Sequence, residues 1–196
     1  MNTTGNFSLS SFYSKECFYR RIAAYFCIYL FIMFTLSALS YSLFSKIPQM
    51  PPFIISKIGG GSTADKLRDI TVCFTPAAVL MAVIFASVFT AANKVLSALI
   101  SAWIGTSLGC TAALISDGLL YGISYPVRIY AVFLTLQAAL TALLASVTAV
   151  YSSAVLYTCS CDDHRGFELL CRDYLKIFLF ISGLIDLVVY ITVILI

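Results

Sequence analysis

The chain has 196 residues, 61% hydrophobic and 11% charged, with a formal net charge of +3 and a mean hydropathy of +0.97. Ordinary soluble domains are about one-quarter charged and about half apolar. So few charges cannot furnish a water-facing surface, and the solvent that suits the chain is the lipid bilayer. The scattered positive charge forms no basic stripe, which excludes nucleic acid as a partner.

The first 21 residues are polar and aromatic and end on Lys15, Arg20 and Arg21. They read as a cytoplasmic juxtamembrane segment. Residues 22–44 carry no charge and suffice for a first span across about 30 Å of hydrocarbon at about 1.5 Å per residue. The run is too long for the apolar core of a cleaved signal, typically about 7–15 residues, so an uncleaved helix is expected. Pro48, Pro51, Pro52 and Gly59-Gly60-Gly61 break regular structure across residues 45–69. Ser62 and Asp65 suit a helix cap. Leu67, Ile70 and Phe74 then follow at helical spacing, predicting a short amphipathic helix in the interface.

A second span is expected over 76–92 and a third over 95–116. The pair is too long for one crossing, so Asn93-Lys94 should turn a tight hairpin between them. A connection at 118–126 holds Tyr121 and Tyr125, which with Tyr130 suit the headgroup level. The fourth span, 127–157, exceeds one crossing and should tilt, kink or project. A polar run at 158–172 precedes the fifth span, 175–196. The expectation is an all-α polytopic bundle of about five helices, with 22–196 as a single transmembrane domain. With the N-terminus inside, the cytoplasmic side holds seven basic residues: Lys15, Arg20, Arg21, Lys94, Arg165, Arg172 and Lys176. The outer side holds five: Lys46, Lys57, Lys66, Arg68 and Arg128. That bias places the N-terminus in the cytoplasm and the C-terminus outside.

Asp186 is the residue that most needs an explanation. A carboxylate amid the last span costs several kcal/mol unless it is neutral, paired or hydrated. It reads either as a structural hydrogen-bond partner or as a proton or cation site. The third span carries Ser101, Gly105, Gly109, Ala113 and Asp117 at intervals of four, and the GxxxG within it permits close helix approach. Ala138, Ala142, Ala145, Ala149 and Ser153 form a similar face on the fourth. Both faces read as helix packing. Cys159, Cys161, His164 and Cys171 share one polar run, but C-x-C-x2-H-x6-C is not a familiar zinc spacing, and solvated thiols are the simpler reading. The seven cysteines, odd in number and partly within spans, do not form a secreted disulfide framework. With His164 the sole histidine, neither a Ser-His triad nor an HExxH pair can be placed in the membrane. No catalytic residue, metal or cofactor is expected.

The order of features resembles the stage II sporulation protein M family of bacterial membrane proteins. The likeness spans residues 20–196. It is greatest from Trp103-Ile104-Gly105 to Gly122 and from Tyr174-Leu175-Lys176 to Asp186, where family members often carry a late carboxylate. Family sequences commonly show a Lys-Gly pair opening the glycine-rich helix and Pro-Gln-Asn before the fourth. Here Lys94-Val95 or Ser101-Ala102, and Tyr125-Pro126-Val127, stand nearest those positions. The resemblance implies a non-enzymatic scaffold acting in engulfment, which holds cell-wall hydrolases (stage II sporulation proteins D and P) at the membrane. The rival expectation from the residues is a small transporter or transporter subunit with Asp186 as its ion site.

Overall fold

The computed structural model describes residues 15–44, 78–121, 125–161 and 163–195, and the regular structure in them is all helical. The helices are α1 (Lys15–Phe44), α2 (Ala78–Ser87), α3 (Asn93–Tyr121), α4 (Tyr125–Ser160) and α5 (His164–Leu195). Four of them, α1 and α3 to α5, are long and apolar enough to cross a membrane. The expected outer segment at 45–69 and the interfacial helix at 62–74 lie outside the described residues.

The helix limits depart from the sequence expectation in several places. α1 begins at Lys15 rather than near Ile22, so the basic residues before the span belong to the same helix. The chain turns at 88–92, not at Asn93-Lys94, and Asn93 is a buried residue opening α3. Asn93 Nδ2 donates to Ser87 Oγ at 2.6 Å, while the Ser87 and Thr90 hydroxyls donate to the Ile84 and Ser87 carbonyls. The hydroxyls engage carbonyls of the last turn of α2, and the Asn93 side chain ties the start of α3 to that turn. Finally, α5 begins at His164, so most of the polar run is helix. The Asp163 carboxylate accepts from Gly166 N at 3.0 Å and caps the first turn. Leu170 and Tyr174 are buried while Arg165, Glu168 and Arg172 are exposed. The polar residues had hidden an amphipathic helix.

One level of the bundle joins four helices through aromatic rings. Phe18 of α1 meets Tyr151 of α4 edge-on at 5.4 Å between centroids. Tyr151 lies 5.5 Å from Tyr174 of α5, and Phe85 of α2 stacks on Tyr174 at 5.9 Å and touches Phe178 at 5.0 Å. Offset and edge-on pairs of this kind contribute about 0.5–1.5 kcal/mol each beyond their buried area. Thr148 Oγ1 and Tyr174 OH share a buried hydrogen bond of 3.1 Å, and Ser152 donates to the Thr90 carbonyl at 3.1 Å. The start of α1, the α2–α3 turn, the end of α4 and the start of α5 therefore share one end of the bundle. The end of α1, the start of α4 and the end of α5 point the other way.

Candidate functional site

The closest helix contact is the seam between α1 and α3. A Cβ at Gly105 would stand 2.5 Å from the Met33 carbonyl oxygen and 2.8 Å from Met33 Cα. At Gly109 it would collide with the Ser37 carbonyl and the Ser40 side chain. Only glycine leaves room for a helix backbone this near, the arrangement GxxxG permits. The stripe is longer than the sequence reading made it. Asn93 and Ser97 are buried as well, in step with buried Ser101 and Ala113. The signal was available: the interval of four continues backward from Ser101 to Ser97 and Asn93. Asp117 lies at a position whose side chain is outside the described residues.

Toward the start of α3 the seam is polar. Ser101 donates to the Ser97 carbonyl at 2.8 Å. Among the described residues, Asn93 Oδ1, Ser97 Oγ and Tyr29 OH are buried without a hydrogen-bond partner. Tyr29 lies beside Ser97 without reaching bonding geometry. Tyr29 stacks on Tyr25, whose ring sits 5.7 Å below the Lys94 ammonium. The small face of α4 also receives α1: Ala138, Ala142, Ala145 and Ala149 form one buried cluster with Tyr29 and Met33. Both faces thus meet one ridge on α1, while Phe31 and Phe34 are exposed. Ser153 is half-buried and bonds back to the Ala149 carbonyl.

Farther along the same helices, a crevice of about 440 Å³ opens between α1, α3 and α4. Leu30, Met33, Phe34, Leu108 and Ala138 supply much of its wall. Thr111 also lines it, its hydroxyl already given to the Ser107 carbonyl. Asp186 is on α5, not in this wall. It stands about 15 Å beyond Lys176 at helical rise, at the edge of the outward face of α5. The residue is partly exposed, yet its Oδ1 is buried with no hydrogen-bond partner.

The soft ligands expected in one loop are spread over three elements: Cys159 ends α4, Cys161 lies in the turn, and His164 and Cys171 belong to α5. Cys159 and Cys161 are exposed free thiols and Cys171 is half-buried. Among the described residues no group of three or more His, Cys, Asp or Glu side chains could hold a metal.

Comparison with known proteins finds no matching family model, no matching curated protein and no matching solved structure.

Proposed function

We propose that this multi-pass membrane protein is a non-enzymatic scaffold or assembly factor, oriented with its N-terminus in the cytoplasm and its C-terminus outside. The observation that carries this reading is the position of Asp186. A transporter needs polar side chains converging on a mid-membrane cavity with the ionisable group on its wall. Here the crevice between α1, α3 and α4 is walled largely by apolar groups, and the carboxyl stands on another helix, toward the outside. The glycine seam and the aromatic level support a bundle that holds its shape, as a platform for other proteins must. The layout that resembles the stage II sporulation protein M family agrees with such a role, with cell-wall hydrolases or other membrane proteins as the things held. Orientation is supported by the distribution of charge over the bundle. Arg20, Arg21, Lys94, Arg165, Arg172 and Lys176 cluster at the end that includes the start of α1, whereas Arg128 lies near the opposite start of α4. Lysine and arginine collect on the cytoplasmic side.

The rival reading, a proton or cation carrier, is separated by flux. The purified chain, reconstituted in vesicles under a pH or sodium gradient, should leave the gradient intact, and mild-detergent extracts of its native membranes should contain it in stoichiometric complexes. Dissipation of the gradient that disappears in Asp186→Asn would replace the scaffold by the carrier.

A further inference from the structure

α5 presents a second seam, and nothing within the described bundle fills it. Leu179, Gly183, Asp186 and Tyr190 follow one another at intervals of four, three and four. That is the a/d rhythm of a left-handed helix pair, the commonest crossing in membranes. Leu179 is 60% exposed and Tyr190 52%. Gly183 is exposed too, and a Cβ built on it would meet no atom of the described residues within 4 Å. The contrast with Gly105 and Gly109 is informative: those glycines are already occupied by α1, whereas Gly183 is a notch left open. One turn beyond the notch sits Asp186, with Oδ1 buried and unpartnered. A carboxyl at this depth is costly without a partner, and on a seam of this kind a lone polar side chain selects the register and identity of the opposing helix.

From this juxtaposition we infer that the Leu179–Gly183–Asp186–Tyr190 face docks a transmembrane helix of another protein that carries a Lys or Arg at mid-span. The occupant follows from charge complementarity, and from where this chain keeps its own cations. In α1, α3, α4 and α5 the lysines and arginines stand toward the helix ends, away from the depth of Asp186. Gly183 lets the partner backbone approach closely, and that approach brings a mid-span ammonium or guanidinium within reach of the carboxylate. Leu179 and Tyr190 would close over the contact and keep lipid out. The inference rests on the scaffold reading and names the surface and the chemistry by which one partner is held.

The test uses full-length protein in phosphatidylcholine vesicles with a synthetic Leu/Ala single-span helix, free of tryptophan and bearing one mid-span Lys. Energy transfer from Trp103, the only tryptophan, to a dansyl group on the peptide reports association. The Lys helix should associate about five- to tenfold more tightly than the same helix with Leu at that site, the range expected of a buried polar helix contact. Asp186→Leu should abolish the difference, Gly183→Leu should abolish it with an unchanged melting temperature, and Asp186→Glu should keep it. Equal association of the Lys and Leu helices overturns the inference, as does equal association of a helix with Asp in place of Lys. So does an Asp186-dependent homodimer in mild-detergent sedimentation, which would make a second copy the occupant. An intrachain cross-link between Gly183→Cys and Arg68→Cys would assign the face to this chain's own 45–77 segment and overturn it likewise. Equal association without ion flux leaves the scaffold standing, whereas flux removes the scaffold whatever the peptide does.

Discussion

Among single residues, the buried polar atoms near Tyr29 and Asn93 differ in what they contribute. The Tyr29 hydroxyl is buried and unpartnered, so Tyr29→Phe removes a desolvated group while keeping the ring stacked on Tyr25. Its melting temperature in detergent should equal or exceed the parent's. Ser87→Ala should do the opposite. Ser87 Oγ accepts from Asn93 Nδ2, and Asn93 Oδ1 already lacks a partner. The substitution would leave the whole buried amide unsatisfied, at a cost of about 1–3 kcal/mol. A Ser87→Ala protein as stable as the parent would show that the α2–α3 turn does not depend on this bond.

Among the four long helices, α1 buries the smallest share of its span. It exposes large apolar side chains such as Phe31 and Phe34 along much of its length. Tyr29, Met33, Ser37 and Ser40 form the ridge that meets the small faces of α3 and α4, with Phe18 on Tyr151 as a further contact. Gly105→Ala should therefore cost about 1–3 kcal/mol, as overpacking does, because the atoms it meets are backbone and cannot rotate away. Gly105→Leu combined with Gly109→Leu should detach α1 and abolish expression or lower the detergent melting temperature sharply. Gly183→Leu is the internal control: the open space around it predicts no loss. If the double variant melts like the parent, α1 does not owe its place to the glycines. The sequence made part of this legible. GxxxG announced a close approach without naming the helix that approaches. Small residues mark where a helix can come near without stating which helix comes, and both small faces turned out to receive the same ridge of α1.

For the whole molecule, the shared aromatic level turns connectivity into sidedness. Exposed Cys159 and Cys161 stand at the end of the bundle that includes the start of α1. In a background lacking the other cysteines, a membrane-impermeant maleimide should reach Cys161 only from the cytoplasmic side, and Gly60→Cys only from outside. Labelling of Cys161 from outside in intact cells would reverse the proposed orientation.

Length, hydropathy and the absence of charge from long runs were enough to announce an all-helical membrane bundle. Burying backbone amides in hydrocarbon leaves few alternatives to the helix, and that constraint acts on each segment by itself. The limits of helices were less legible, because a polar residue can belong to a loop or to the wet face of a helix. Only the packing at Leu170 and Tyr174 assigned 164–175 to α5. Which glycines are filled and which are open was not in the sequence at all. Gly105, Gly109 and Gly183 are chemically identical, and the difference lies in whether another helix crosses there. Asp186 divides the same way. Its depth in the membrane follows from counting residues, but its place on the flank of the outward face depends on how α5 rotates to bury Ile181, Ile185 and Val189, and that rotation is set by the neighbours it packs against.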